Sequence, residues 1–358
     1  MAARLRAAFV LAAREPGAFL FDDWAREQFA LQFESNAAYR KFCERRGVTP
    51  AYLTSWRDIP AVPTEGFKEL ELTSIPAAER TTWFESSGTT GQIRSRHFHH
   101  AESLATYEAA LLAWFEKCAL PKADAKIGST LLLTPTSSLA PHSSLVHMFE
   151  TINRELFPNA LNGLGEIDPT GAWTLPLAAV REQLLAVIEA KTSVLLAGTA
   201  FGFVHLCDGL EGTGEVLALP QGSMVLETGG YKGRSRELPK AELHAMISRK
   251  LGVSRERIVC EYGMSELSSQ AYDCADGISR DRVFHFPPWV RTQIISPETG
   301  REAKPGEPGL LRIHDLANVW SVAALQTGDM AVQRGTGFEM LGRLNELEPR
   351  GCSLASVA

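Results

Sequence analysis

The sequence predicts an α/β protein in which helices flank a sheet and a smaller β-rich subdomain follows. Three observations support this prediction. Strand-like apolar runs alternate with helical stripes between residues 102 and 260, and short runs separated by Gly and Pro turns replace them after residue 282. Before residue 80, the chain looks helical but is interrupted by prolines. At 358 residues it also exceeds the usual size of a single core.

Residues 1–80 are expected to form a helical cap region. Proline ends a helical element because it lacks a backbone N–H. The interrupting residues are Pro16, Pro50, Pro60, Pro63 and Pro76. The first 13 residues superficially resemble a signal peptide, but Arg14 and Glu15 interrupt the apolar run and no convincing cleavage site follows. A short amphipathic helix is therefore favoured.

Residues 81–282 are predicted to form the α/β core. Helical stripes begin at Glu102, Leu177 and Lys240. Buried strands are predicted at 130–134, 193–197, 224–226 and 257–260. Their alternation favours a sheet with helices on its faces.

The β-rich subdomain is predicted to cover residues 283–344, and residues 345–358 are predicted to form a C-terminal tail. The subdomain's strands are predicted at 290–295, 309–313, 330–332 and 338–341. Gly and Pro turns separate these runs, as in an all-β layer.

Composition excludes several classes of protein. The formal charge of −6 and the absence of a dense basic patch argue against nucleic-acid binding. Six cysteines without a C-x-x-C pair argue against a zinc ribbon or disulfide scaffold, and predict reduced thiols in a cytoplasmic protein. No apolar run approaches the ~18 residues that suggest a membrane span.

Residues 84–91 read FESSGTTG and form the most informative segment. Glycine lets the backbone approach an anion, and clustered hydroxyls add hydrogen-bond donors around phosphate oxygens. Arg94 and Arg96 add positive charge nearby. The spacing is not that of a Walker loop. Taken alone, such a run is more often a surface turn.

Three later segments carry side chains that suit a metal ion, a phosphate or a hydroxyl group. Residues 261–266 read EYGMSE after a predicted strand, residues 227–231 read ETGGY, and residues 327–330 read TGDM. A carboxylate suits a hard cation, a hydroxyl can position a phosphate, and an ionised aspartate only accepts hydrogen bonds. The alternative for 265–266 is an exposed helix start.

In order and spacing, these segments resemble the motifs of the adenylate-forming superfamily of acyl-CoA synthetases, luciferases and peptide-synthetase adenylation domains. One departure is the run 92–94, QIR, where a small-Pro-Lys run is usual. The resemblance implies ATP and Mg²⁺ as cofactors. Tyr262 would line the adenine, Ser265 would contact the α-phosphate, Glu266 would hold magnesium, and Asp329 would accept from the ribose hydroxyls. The implied nucleotide-contacting residues are Ser86, Ser87, Gly88, Thr89, Thr90, Gly91, Arg94, Gly229, Gly230, Tyr231, Tyr262, Gly263, Asp329 and Arg343.

Most ligases of this superfamily continue into a small mobile domain that carries a lysine. This chain stops 15 residues after Arg343, and its last lysine is Lys304. It is therefore expected to lack that domain. It resembles the acyl-protein synthetases of bacterial bioluminescence, a branch related to phenylacetate-CoA ligases that ends with an acylated cysteine. Cys352 matches that cysteine, with an incidental reduced thiol as the alternative.

By this resemblance, the chain would activate a carboxylic acid as acyl-AMP, and a fatty acid is the favoured substrate. It would then form a thioester and deliver the acyl group to a fatty-acid reductase or another acceptor protein. The implied catalytic residues are Cys352, Glu266, Ser265 and His142. The alternatives are an acyl- or aryl-CoA ligase that uses free coenzyme A, and a non-catalytic nucleotide-binding subunit.

Two histidine-containing segments have competing interpretations. His142 follows a predicted strand, where the superfamily often places groups near the substrate carboxylate; an ordinary turn role is the alternative. His97 and His99 share one face of a predicted strand, which invites a metal site, but no partner with ligand spacing is near. A strand leading to a helix cap is favoured for them.

Overall fold

The computed structural model describes residues 1–86, 93–120, 127–157, 163–229, 238–273 and 282–344. The α-helices in these ranges are α1 Ala2–Arg14, α2 Phe21–Ser35, α3 Ala37–Glu44, α4 Gly66–Glu69, α5 Ala101–Cys118, α6 Ser144–Leu156, α7 Leu177–Glu189, α8 Ala200–Gly212 and α9 Lys240–Leu251. The strands are β1 Val62–Pro63, β2 Thr82–Glu85, β3 Arg96–His99, β4 Ser129–Leu132, β5 Glu166–Ile167, β6 Trp173–Thr174, β7 Val194–Thr199, β8 Met224–Thr228, β9 Ile258–Tyr262, β10 Ala271–Tyr272, β11 Val290–Ile295, β12 Pro308–Asp315, β13 Ala324–Arg334 and β14 Gly337–Arg343.

The central sheet has the strand order β10-β9-β8-β7-β4, with β10 antiparallel to an otherwise parallel set. Every residue of β7 and β8 is buried, as expected when a parallel sheet is covered on both faces. Leu195 and Ala197 point into one core and Leu196 into the other, because side chains alternate across a strand. The predicted α/β alternation is confirmed.

Helices cover both faces of this sheet. On one side lie apolar residues of α7, α8 and α9, such as Leu184, Phe203 and Ile247. On the other side lie residues of α1 and α5, such as Phe9 and Phe115, within a larger core that continues into the second sheet. No helix in the described ranges is long and apolar enough to cross a lipid bilayer.

The second sheet is formed mainly by the late strands, in the order β1-β13-β12-β11, with β14 also paired to β13. The four strands predicted after residue 282 are confirmed. The helical cap region predicted for residues 1–80 is interrupted at Pro63, as expected, but the sequence did not predict that this interruption is a strand, β1, in which Val62 pairs in parallel with Leu325 and Pro63 with Gln326. A two-residue edge strand that contains proline is too short to show a period of two.

Buried amide side chains tie α2 to the loop between β12 and β13. Gln28 and Gln32 each donate from Nε2 to the carbonyl oxygen of Asn318, at 3.0 and 2.6 Å. Gln32 Oε1 also accepts from the backbone N–H of Ala323 at 3.0 Å. Since a buried amide without a partner is costly, these bonds fix where α2 sits on the second sheet.

A buried histidine in β12 should make stability depend on pH. Burial, reinforced by Arg312 and Arg57, lowers the pKa of His314 to about 3. An unfolded histidine has a pKa of about 6.5. Below that pH, the unfolded chain therefore binds a proton at this residue and the folded chain does not. Stability linked to His314 is therefore full above pH 6.5 and is lost as the pH falls toward 3. Between pH 7 and 4, wild type should lose about 3 kcal/mol more stability than His314→Gln in urea unfolding.

His205, which is exposed on α8, provides the matched control for this experiment. His205→Gln should follow the wild-type pH dependence. Identical pH dependences for wild type and His314→Gln would contradict the prediction.

Candidate active site

The candidate site lies where β8 and β9 end side by side. Thr228 and Glu261 are register partners near the carboxyl ends of these parallel strands. Ligands of open α/β sheets bind outside such ends. The loop after β9 carries Ser265 and Glu266, and the hairpin β2–β3 and the strand pair β13–β14 bring further residues to this edge.

Ser265 and Glu266 are buried in a turn and do not begin a helix. Each is 6% exposed, and Ser265 Oγ donates to Glu266 Oε2 at 2.9 Å. Ser95 Oγ lies 3.4 Å from Ser265 Oγ. The alternative of an exposed helix start is therefore wrong. The Ser265 hydroxyl is thus in contact with both the Ser95 hydroxyl and the Glu266 carboxylate.

Tyr262, Asp329 and Arg343 meet although they are far apart in the sequence. Tyr262 donates its hydroxyl proton to Asp329 Oδ2 at 2.8 Å, and Arg343 Nε donates to Oδ1 at 3.2 Å. Asp329 and Arg343 are register partners next to an irregularity between β13 and β14. Each carboxylate oxygen has a second lone pair, so Asp329 can still accept from a ligand hydroxyl.

Thr327 holds the aspartate from its own strand. Its hydroxyl donates to the carbonyl oxygen of Leu311 at 2.7 Å and accepts from the backbone N–H of Asp329 at 3.1 Å. The Tyr262 ring packs in an aromatic cluster with Phe284 and Phe338. An aromatic cluster thus lies beside the buried carboxylate of Asp329.

The hairpin β2–β3 places Ser86 and Arg94 near its open end. Ser86 Oγ accepts from the backbone N–H of Ser95 at 3.1 Å. Arg94 makes an ion pair with Glu85 at 3.1 Å, and Trp83 Nε1 donates to the same carboxylate at 2.8 Å. Partial burial opposes ionisation of Glu85, but these two hydrogen bonds outweigh it and lower its pKa. The predicted phosphate contact of Arg94 stays a prediction.

Several predicted site residues lie outside the described residues: Ser87, Gly88, Thr89, Thr90, Gly91, Gly230, Tyr231 and Cys352. Their assigned roles stay predictions.

His142 lies against the same hairpin. Its ring stacks on Trp83 with the centroids 3.9 Å apart, and its Nδ1 is 3.1 Å from the Trp83 carbonyl oxygen. The His142 carbonyl accepts from the backbone N–H of Glu85 at 2.9 Å. The residue is thus fixed beside the predicted phosphate loop, and its role toward a substrate carboxylate stays a prediction.

His97 and His99 lie on β3, and His100 caps α5 through a capping box with Ser103. The predicted strand leading to a helix cap is confirmed. The His97 and His99 rings are 4.3 Å apart, and Nδ1 of His97 faces the carbonyl oxygen of Ser265.

Sequence reasoning did not assign roles to two buried carboxylates at the strand ends. Thr228 donates its hydroxyl proton to Glu261, whose pKa is raised to about 7 by burial. Glu227 lies 3.4 Å from Lys240 Nζ and 3.3 Å from His244 Nε2. Burial opposes its ionisation, but Lys240 and His244 outweigh burial and lower its pKa to about 2.

A signal for these residues was present in the sequence. Glu227 and Glu261 stand at the ends of apolar strands, where a charge needs a buried partner. Lys240 and His244 are spaced i, i+4 on α9 and so share one helix face.

The two motif glycines meet different demands. Gly229 has φ +69°, in the left-handed region that side chains disfavour. At Gly263, a Cβ atom would stand 2.3 Å from Glu261 Oε1. Gly263 therefore makes room for the buried carboxylate.

The residues at Glu266 fit a magnesium ion that arrives with a nucleotide. Mg²⁺ prefers oxygen ligands and usually binds one or two carboxylates together with substrate phosphates. Glu266 offers one carboxylate, with the Ser265 hydroxyl beside it. In the described part of the chain, no group of three or more His, Cys, Asp or Glu gathers as a metal site. The donor set thus needs oxygens from a ligand.

The fold is that of adenylate-forming ligases, which confirms the predicted fold class. An open conformation of 2-hydroxyisobutyryl-CoA ligase, with 2-HIB-AMP and CoA, matches with a TM-score of 0.65 at 15% identity, over 92% of this chain and 76% of that chain. ATP-bound MatB from Rhodopseudomonas palustris matches with a TM-score of 0.50 at 17% identity, over 86% of this chain and 58% of that chain. Whether the chain lacks the mobile lysine domain stays a prediction.

Sequence comparison narrows this class. The long-chain-fatty-acid–luciferin-component ligase of Aliivibrio fischeri is 23% identical over 355 residues, covering 93% of this chain and 87% of the relative. The profile of the family described as acyl-protein synthetase, LuxE, matches residues 10–111 and 175–357. The chain belongs to the LuxE acyl-protein synthetase family and is an enzyme of the ligase class, as the motif resemblance predicted.

Proposed function

We propose that this enzyme uses ATP to activate a long-chain fatty acid as acyl-AMP and then transfers the acyl group to Cys352. The main support is the convergence of the Ser265–Glu266 turn, the Tyr262–Asp329–Arg343 cluster and the hairpin β2–β3 at the carboxyl edge of the central sheet. The name of the Aliivibrio fischeri relative supports the substrate class.

In the first step, a carboxylate oxygen of the acid attacks the α-phosphorus, and the bond to pyrophosphate breaks. The Ser265 hydroxyl, which donates to Glu266 Oε2 in the free protein and has Ser95 beside it, would turn its proton to a phosphate oxygen when the nucleotide binds. Glu266 would hold magnesium, which would neutralise charge on the phosphates. Tyr262 would pack on the base, and Asp329 would accept from the ribose. Preorganised groups of this kind usually supply most of the stabilisation of the transition state.

In the second step, the Cys352 thiolate attacks the acyl carbonyl, a thioester forms and AMP leaves. Thiolate is a good nucleophile for such a transfer. The family match that extends to residue 357 supports this assignment. A reductase or another acyl acceptor protein would then take the acyl group. A cytoplasmic location stays a prediction.

Acid-dependent ATP–pyrophosphate exchange tests the first step. With a long-chain fatty acid, we expect exchange that requires both the acid and magnesium. A nucleotide-binding subunit would bind ATP without exchange, and that result would contradict the proposal. Product analysis with added coenzyme A separates the second step from a CoA ligase, which would release acyl-CoA.

For the ribose site, Asp329→Ala should weaken ATP binding while leaving acid binding close to wild type. The change removes an ionised acceptor, and hydrogen bonds to charged groups contribute about 1.5–3 kcal/mol each. We expect the Kd for ATP, measured by calorimetry, to rise about 30-fold. Glu339→Ala on β14, which breaks an exposed ion pair with Arg334 at the end of β13, is the matched control. Equal ATP affinity in both variants would argue against the ribose role.

A further inference from the structure

We propose that His97 and Asn318 are positioning residues that hold the successive carbonyl groups of Ser265 and Glu266, so that both side chains face the nucleotide. The contacts themselves stand on the structure alone. Their consequence for a nucleotide and its metal rests on the proposed function.

His97 contacts the turn from β3, the strand that leads out of the predicted phosphate loop. Its Nδ1 lies 3.0 Å from the Ser265 carbonyl oxygen, and its side chain is buried, with the residue 4% exposed. The two residues are 168 positions apart. This hydrogen bond therefore joins the hairpin to the turn after β9, two segments that are far apart in the sequence.

The histidine must donate in this bond. Burial lowers the pKa of His97 to about 4, although the bond to Ser265 opposes this shift, so the imidazole is neutral at pH 7. A carbonyl oxygen can only accept, so the single ring proton lies on Nδ1. A neutral donor holds the carbonyl without adding a charge near the carboxylate of Glu266.

Ser95 extends the same contact along the hairpin. It lies two residues before His97 in the chain, and its Oγ is 3.4 Å from Ser265 Oγ. Residues two apart in extended chain share one face. Ser95 and His97 therefore contact Ser265 from the same face of the hairpin, one at its hydroxyl and the other at its carbonyl oxygen.

Asn318 holds the next carbonyl from a different element. Its Nδ2 donates to the Glu266 carbonyl oxygen at 2.9 Å and to that of Val322 at 3.1 Å. Asn318 is itself buried and is fixed by Gln28 and Gln32 of α2. The second carbonyl is thus held by a network that reaches the N-terminal helices.

Holding two successive carbonyls restricts rotation of the peptide units between and beside them. The Ser265 hydroxyl and the Glu266 carboxylate, which are 2.9 Å apart, are then held facing the same side of the turn. A metal or phosphate site gains affinity when its ligands need no reordering on binding. Loosening the turn should therefore lower the affinity for Mg²⁺, while the exchange rate at saturating Mg²⁺ should change little.

The test compares His97→Asn with His97→Leu. Asparagine carries its amide nitrogen at the same number of bonds from Cα as Nδ1, so it can restore the donor, whereas leucine cannot. Hydrogen exchange of residues 263–268, followed by mass spectrometry without nucleotide, should be at least tenfold faster in His97→Leu and close to wild type in His97→Asn. The half-saturating Mg²⁺ concentration for ATP–pyrophosphate exchange should rise at least fivefold in His97→Leu, with the rate at saturating Mg²⁺ within twofold.

His99→Leu is the matched control, because His99 is also buried on β3 but contacts Ser103 and not Ser265. It should change neither measurement. If His97→Leu fails to fold, His97→Met, whose unbranched side chain also lacks an N–H donor, takes its place in the comparison.

The proposal is overturned if the leucine variant behaves as wild type, if asparagine does not rescue it, or if His99→Leu has the same effects. Absence of exchange activity in wild type would overturn the proposed function instead. Hydrogen exchange would then decide the positioning role by itself.

Discussion

Glu266→Gln is expected to remove most acid-dependent ATP–pyrophosphate exchange, by about 100-fold or more. The change deletes one anionic ligand for magnesium while keeping the volume of the side chain. It also keeps an oxygen that can accept from Ser265, which now bonds Glu266 Oε2 at 2.9 Å. The fold should therefore survive, and the loss should appear as reduced exchange at every fatty-acid concentration.

Glu256→Gln is the matched control for this experiment. Glu256 lies just before β9, at the opposite end of the strand from the site. This variant should exchange like wild type, and circular dichroism should show both variants folded. Near-normal exchange in folded Glu266→Gln would move Glu266 to a structural role.

Cys352→Ala is expected to form acyl-AMP normally but to retain no labelled acyl group. Adenylation needs only the acid, ATP and magnesium, whereas the thioester needs the thiol. Wild type incubated with ATP and radiolabelled fatty acid should carry a label that hydroxylamine removes, because hydroxylamine cleaves thioesters and amides resist it. The variant should show full ATP–pyrophosphate exchange without this label.

Cys118→Ala serves as the control, since Cys118 is a partly exposed cysteine at the end of α5. It should keep the label. If Cys352→Ala holds as much label as wild type, or if only added coenzyme A discharges the adenylate, the transfer to Cys352 is wrong and a CoA ligase takes its place.

Most of the fold could be predicted from the sequence because its strands are buried on both faces. Runs such as 194–197 and 224–226 are continuously apolar, as parallel strands between two helix layers require. The helix predicted to begin at Lys240 does begin there, and it ends at Leu251 with glycine following in the left-handed conformation. The missed strand β1 depends on a partner more than 260 positions away, which no local pattern can reveal.

The candidate site could be predicted only in part. Ser265, Glu266 and Asp329 stand in short motifs whose residue types suit a nucleotide. The role of His97 could not be predicted in this way, since the sequence shows that it shares a strand face with His99 but not what lies opposite that face. Likewise, the motif containing Asp329 does not show that Tyr262 and Arg343 both contact its carboxylate.

The pairing of β1 with β13 has a consequence for synthesis on the ribosome. Val62 leaves the ribosome 263 residues before its partner Leu325. At roughly 5–20 residues per second, the early segment waits about 13–50 s for that partner. Gln28 and Gln32 of α2 wait similarly for Asn318. Although β1 and α2 are made early, they are thus among the last elements to reach these contacts, and until then the surfaces that they bury against the second sheet stay accessible to chaperones and aggregation.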